Sequence, residues 1–420
     1  MKRHTIFPNG LKGRADSEMR IFIVNSVCGT GSTGRIVTDI MNQAKVQGYT
    51  VKVACSTVEP IRNIAPEDAV VVGSKRDYYI HNVLSRITDH EGLYSKQATR
   101  KLVRGIDDFK PDIVHLHNLH GHWINYEILC SYLSKHNIKV VWTLHDCWAF
   151  TGHCAHFSVL GCEQWKTHCS HCVGLQSYPR CYGKGDVSGN YDKKREAFTS
   201  LKEMTIVTPS EWLANMVRSS FLGCYKVHVI NNGIDLNVFK PTESKFRETY
   251  GLQKKKIVLG VANVWIKKKG YEDILALSEM LDSKYQIVLV GLTREQILNL
   301  PDNILGIERT QNIQHLVEIY STADVFINPS YEETMGLVTA EAMACGTPAV
   351  VYNQTAVPEV VDEHSGLVVQ AGDLIEMRQA IYEIVEDQRR FSNTRKRAEK
   401  YEKAKQYKKY IKLYEEVLGL

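Results

Sequence analysis

The stretch that most constrains the fold runs from Asp324 to Gly346. An apolar strand, Asp324 to Asn328, enters a short loop holding two acids and a glycine, then an alanine-rich helical segment ending at Gly346. In an open parallel sheet such a loop lies at the carboxyl end of its strand, where ligands bind, and the helix start offers free backbone N–H groups to an anion. A phosphate is the natural guest. Glu333 and Glu341 stand eight positions apart. At ~1.5 Å of rise per helical residue they bracket a diphosphate over the helix start, one carboxylate for the hydroxyl groups at each end of an elongated ligand.

The same unit recurs along the chain. Strands are expected at Met19 to Ser26, Tyr49 to Ala54, Asp112 to His117 and Ile138 to His145, and then at Lys256 to Val261, Gln286 to Val290, Pro348 to Val351 and Gly366 to Val369. Alternation of strands with amphipathic runs predicts an α/β fold of two doubly wound, Rossmann-like parallel sheets. A chain of 420 residues, 44% hydrophobic and 24% charged, is long enough for two cores. No apolar run approaches the ~20 residues of a membrane-spanning helix. A net charge of +5 is small for this length and does not indicate nucleic acid. Residues 1–18 are polar, without the apolar core of a secretory signal, and are expected to form a flexible extension. The first domain is expected over 19–230, with a boundary near the Asn232-Gly233 turn signal, and the second over 231–400.

Several residues carry chemistry. The turn Val27 to Gly34, with Gly31 in it, allows close backbone approach to a ligand after the first strand. His115, His117, His120, His122 and His145 lie at or beyond strand ends; His115 is expected to be structural, and His145-Asp146 to face the crevice, where an imidazole can donate to a substrate hydroxyl. Lys267, Lys268 and Lys269 follow another strand and can neutralise a diphosphate as point charges. Of eleven cysteines, six crowd between Cys147 and Cys181. Cys154, Cys162, Cys169 and Cys172 form a C-x₇-C-x₆-C-x₂-C set that fits a structural zinc, with free thiols or a redox pair as the alternatives.

Glu333-Thr-Met-Gly-Leu-Val-Thr-Ala-Glu341-Ala-Met-Ala-Cys-Gly-Thr-Pro resembles the signature, two glutamates separated by seven residues, of family-4 retaining glycosyltransferases with the GT-B fold. Trp142-Thr-Leu-His-Asp146 and the Cys-rich insert 147–181 are similar to a subgroup making bacterial exopolysaccharide of the colanic acid type. The resemblance implies two domains facing a central cleft, an N-terminal domain for the acceptor, a C-terminal domain for the nucleotide sugar, and a terminal helix, 401–420, that crosses back to the first. It implies a UDP- or GDP-sugar donor, a glycan or lipid-linked acceptor, no catalytic metal, and a cytoplasmic protein with peripheral membrane contact. Carried over by motif, His145 and Glu333 orient the sugar, Glu341 binds the ribose, and Lys269 and the N–H groups of Gly336, Leu337 and Val338 hold the diphosphate, with Lys267 or Lys268 as the substitute for the family's arginine. Asn263 stands where the family has an arginine, so the positive charge falls to the lysine run. A sugar-nucleotide epimerase and a non-catalytic, zinc-stabilised scaffold are the rival readings.

Overall fold

A computed structural model describes residues 19–420; the extension expected over residues 1–18 lies outside the described residues. The first half builds seven strands: β1 Arg20–Val24, β2 Thr50–Ser56, β3 Ala69–Val72, β4 Ile113–Leu116, β5 Lys139–Thr143, β6 Met204–Thr208 and β7 Lys226–Val229. The second builds six: β8 Lys256–Val261, β9 Tyr285–Val290, β10 Ile304–Ile307, β11 Val325–Asn328, β12 Ala349–Tyr352 and β13 Gly366–Val369. The sheet orders are β3-β2-β1-β4-β5-β6-β7 and β10-β9-β8-β11-β12-β13. All neighbours in both are parallel. Helices cover both faces, so the central strands read as unbroken Val, Ile and Leu runs and are almost wholly buried.

In each sheet the chain winds outward in one direction and then returns past its starting strand. The reversal falls between β1 and β4 in the first sheet and between β8 and β11 in the second. Loops leaving the carboxyl ends of those strand pairs diverge there and leave a crevice, which is where this architecture binds ligands.

The two halves are tied together at several points. Glu359 of the second half accepts the N–H groups of Glu211 and Trp212, at 3.0 and 2.7 Å, at the start of helix Glu211–Arg218. A carboxylate at that helix end is favourably placed. The last helix, Lys403–Leu418, lays its apolar face on the first sheet, with Tyr407, Tyr410, Ile411, Leu413 and Tyr414 in one cluster with β1, β2 and β5 residues. Its deepest anchor is polar: the Tyr414 hydroxyl meets His115 Nδ1 at 2.7 Å, and Thr143 Oγ1 meets His115 Nε2 at 2.8 Å. Both ring nitrogens of His115 are satisfied and the residue is fully buried, so it is structural.

Two edge strands, β3 and β10, carry weak sequence signals because they are four residues long and partly exposed. The stretch around β3 also contains helix Lys75–Thr88, whose capping box of Ser74 and Asp77 is the local signal that marks its start.

Candidate functional site

The second crevice is built from two loops. One leaves β8 and makes a single turn at Lys267–Lys269 before Gly270; the other leaves β11 and runs from Pro329 to Gly336. They touch at Gly270, where a Cβ would meet the Pro329 carbonyl oxygen at 2.3 Å, so glycine is required for both φ +72 and the close approach. Tyr331 N–H adds a bond to the Lys268 carbonyl at 2.9 Å.

This contact sorts the three lysines. Lys269 Nζ is ion-paired with Glu333 Oε1, and Lys268 Nζ lies 3.9 Å from buried Glu332. Lys267 turns outward, 79% exposed, towards Glu272. The expectation that the whole run supplies charge to the diphosphate is corrected for Lys267, because a one-turn 3₁₀ helix points consecutive side chains in different directions. Asn263 is exposed.

Helix Leu337–Ala344 starts at Gly336, which adopts φ +81, and the N–H groups of its first turn have no intrahelical acceptors. Gly336, Leu337 and Val338 therefore present donors at the end of the loop whose Glu333 is paired with Lys269. Glu341 lies one turn further on. Its Oε2 accepts the Tyr320 hydroxyl at 3.0 Å, and burial pushes its carboxyl up to about 7 against the pull of Tyr320 and the charge of Arg35. Arg35 belongs to the first half, in helix Gly31–Val46, and its charge is felt at Glu341. Gly31 has φ +64 and open space where a Cβ would stand.

Opposite, at the ends of β4 and β5, the histidines form two systems. His117 Nδ1 and His145 Nε2 are 2.9 Å apart in stacked rings. Burial lowers both pKa values, that of His145 to about 4, so the pair is neutral at pH 7. Two neutral imidazoles joined by one hydrogen bond leave one N–H over, on His145 Nδ1 when His117 donates. The second system is Tyr178–His120–Asp146: the Tyr178 hydroxyl lies 2.9 Å from His120 Nδ1, and Asp146 Oδ2 lies 2.8 Å from Nε2. Burial opposes charge on His120, but Asp146, through its charge and hydrogen bond, outweighs it and raises the pKa.

The Cys-rich insert reaches across to the second half. Buried Lys194 pins its start, donating to the carbonyls of Trp148 and Thr151 at 2.8 and 3.1 Å. Its Ser158 N–H donates to Glu332 Oε1 at 2.9 Å, reaching the loop that holds Glu333. Cys154, Cys162, Cys169 and Cys172 line one small cavity together with His153 and His171. All are free thiols. The Cys154 and Cys172 sulfurs are 3.0 Å apart. Among the described residues, the trio whose ligand atoms all lie within 4.8 Å of one another is His81, Glu91 and His122 rather than the cysteines.

Glu332, Arg35 and Tyr178 escape a reading of the sequence. Glu332 is visible only as the neighbour of Glu333, and a one-residue offset in a loop carries no period to tell which acid faces the ligand. Tyr178 is distant in sequence from His120 and meets it only in the folded chain.

Two facing parallel-sheet α/β units with a ligand crevice at each point of strand reversal define the GT-B class of protein. Residues 33–238 match the family model described as Glycosyltransferase Family 4, and residues 242–406 that of Glycosyl transferases group 1. The chain belongs to this glycosyltransferase family. A similar protein named as a colanic acid biosynthesis glycosyl transferase, WcaC of Escherichia coli (strain K12), is 27% identical over 287 residues, 64% of this chain and 66% of that one. D-inositol 3-phosphate glycosyltransferase of Mycolicibacterium smegmatis is 31% identical over 176 residues, 38% of this chain and 40% of that one. The chain thus matches between about two fifths and two thirds of the length of these relatives. Among solved structures, sucrose-phosphate synthase from Thermosynechococcus elongatus has a TM-score of 0.67 at 16% identity, covering 96% of this chain and 99% of that one. Anabaena Alr3699/HepE in complex with UDP has a TM-score of 0.65 at 15% identity, with 94% and 99% covered. At these identities the likeness is one of fold.

Proposed function

We propose that this protein is a retaining glycosyltransferase that moves a sugar from a nucleoside-diphosphate donor to a glycan or lipid-linked acceptor in cell-surface polysaccharide synthesis, working at the inner face of the membrane. The observation that carries this reading is the junction of Lys269, Glu333 and the Gly336 helix start at the point of strand reversal in the second sheet. The WcaC likeness supports the polysaccharide context, and the UDP and UDP-glucose complexes of Alr3699/HepE support the donor class.

In this reading the diphosphate lies over the helix start, held by the N–H groups of Gly336, Leu337 and Val338 and by Lys269 and Lys268. As the bond between the anomeric carbon and the diphosphate oxygen breaks, negative charge grows on that oxygen. Donors already aimed there stabilise it without reorganisation. Glu341 accepts the ribose hydroxyls, and Glu333 and His145 orient the transferred sugar. The acceptor hydroxyl attacks on the face the diphosphate leaves, and its proton passes to the departing phosphate, which retains the anomeric configuration. The test is a thermal-shift panel of UDP, GDP and their sugars. At 100-fold over Kd a ligand adds ~2.7 kcal/mol, which raises Tm by about 5 °C or more. A flat response to every nucleotide sinks the assignment.

The insert adds a structural metal to this reading. The donor set suits zinc: four thiols on one cavity, with the Gly174 N–H donating to Cys172 Sγ at 3.3 Å and the Gly152 N–H bonding Cys169. Backbone donors of this kind favour thiolate, the ligating form, at Cys172, while at Cys169 burial outweighs the Gly152 N–H and raises the thiol's pKa to about 11. A bound zinc would staple the insert, and so hold Ser158 against Glu332, without taking part in transfer. Reduced protein prepared without chelator is expected to carry about one zinc per chain, and Cys172→Ser to lose it with a fall in Tm above about 5 °C. Less than about a tenth of an equivalent after zinc addition contradicts the site, and a Cys154–Cys172 disulfide in mass analysis replaces it.

A further inference from the structure

Residues 155–158 of the insert form a strap from the first half to the second. The Ala155 carbonyl accepts the N–H of Cys147, the residue after Asp146, at 2.9 Å, and the Ala155 N–H donates to the Tyr178 carbonyl at 3.1 Å. Three residues on, the Ser158 N–H meets Glu332 Oε1 at 2.9 Å. Three residues of extended chain reach ~10 Å at most, so the strap joins the His145–Asp146 segment to the loop that holds Glu333 across a narrow gap. Phe157 fixes it in place. The ring is buried and packs against Trp165 at 5.2 Å between centroids and edge-on against Phe150 at 6.4 Å.

His156 stands in the middle of this strap and is half-buried. The charges that reach its ring come from both halves: Asp146 of the first, and Lys268, Glu332 and Lys269 of the second. Burial lowers its pKa from the ordinary value, so the ring is neutral at pH 7 and carries one N–H. Its Nδ1 is enclosed and has no hydrogen-bond partner among the described residues. An N–H enclosed there would forfeit its bond to water, so the proton belongs on Nε2, the nitrogen that is not enclosed. The thiol cavity does not use this imidazole, since the histidines lining it are His153 and His171.

On one side of His156 stands Asp146, next to the sugar-orienting His145; on the other stand Lys268 and Lys269, which hold the diphosphate. A donor between them faces the point where sugar and diphosphate join. We propose that His156 is a substrate-contacting residue whose Nε2–H bonds the β-phosphate of the nucleotide sugar, so that the Cys-rich insert supplies part of the donor site. This rests on the glycosyltransferase reading and adds a residue to its donor side. When the bond to the anomeric carbon breaks, this N–H already points at the phosphate on which charge collects.

The test is titration calorimetry on the full chain with UDP and UMP and with GDP and GMP, the variants being measured with the base that the wild type prefers. UMP and GMP lack the β-phosphate. His156→Ala and His156→Phe, the second keeping a ring in place, are expected to weaken the diphosphate by about 10- to 100-fold, the worth of a hydrogen bond to a charged group, and the monophosphate by less than about twofold. His156→Gln returns an N–H near the Nε2 position and is expected to come within about fivefold of the wild type. Equal weakening of monophosphate and diphosphate in the two donor-free variants overturns the proposal and leaves His156 a structural part of the strap. Unchanged diphosphate affinity in both overturns it too, and with nucleotide binding by the wild type intact the donor reading survives that result. If the wild type binds none of the four nucleotides, the donor reading itself fails and this inference falls with it.

Discussion

Lys269→Ala is expected to lower kcat/KM for the nucleotide sugar by about 10²- to 10³-fold, the usual cost of removing one preorganised donor from a developing oxyanion. Two effects act in the same direction. The ammonium no longer offsets the diphosphate, and Glu333, its present partner, is left as an unpaired negative charge beside it. Lys269→Arg keeps the charge but replaces a compact ammonium by a planar fork, so partial recovery is expected. Lys267→Ala is the control: an exposed lysine paired outward to Glu272 contributes little, and a change under about twofold is expected. Steady-state kinetics with the donor found by thermal shift decide the matter. Equal effects at Lys267 and Lys269 contradict the geometry, because the argument depends on which lysine faces the crevice.

Tyr414→Ala is expected to destabilise the first half by about 3–5 kcal/mol, the range for emptying a large, fully buried aromatic site. Tyr414 is 0% exposed, packs edge-on against the His115 ring at 5.7 Å and bonds its Nδ1. Tyr414→Phe keeps the ring and removes the hydroxyl, leaving the buried His115 Nδ1 unsatisfied at a cost of about 1–3 kcal/mol. Urea unfolding monitored on the first half separates the two variants. With two sheets in one chain the transition is not assumed to be two-state, so midpoints are compared at fixed slope. A Tyr414→Ala midpoint indistinguishable from the parent would show that the last helix is not part of that core.

The positioning of Lys269 and the anchoring of Tyr414 differ in how they could be read. The lysine run and its place after a strand are local facts, visible as three letters before a glycine. Which of the three faces the ligand depends on a 3₁₀ turn held by Gly270 against Pro329, a contact between residues far apart in the chain. His115 was legible as a buried structural histidine from the strand period. Its partner on the last helix was not, since nothing in a sequence tells which of several tyrosines reaches a given imidazole.

The first half shows the same limit more strongly. Arg86, Arg180 and Tyr178 line one cavity and form no motif, and the exposed stripe of helix Lys75–Thr88 is indistinguishable in sequence from a core-facing one. An amphipathic pattern states that a helix has an apolar face; only packing decides whether that face is covered.

By itself the sequence determined the class of architecture, the parallel strands with their helices, and the acids and glycine that mark the second crevice, because hydrophobic period and turn chemistry are properties of neighbouring residues. The tertiary structure alone decided which charges meet. It paired Lys269 with Glu333, turned Lys267 away, joined His117 to His145, brought Ser158 of the insert onto Glu332 and left the Arg86–Arg180 cavity open. The physical reason is that side-chain convergence depends on the order and register of strands across two sheets, which local patterns do not encode.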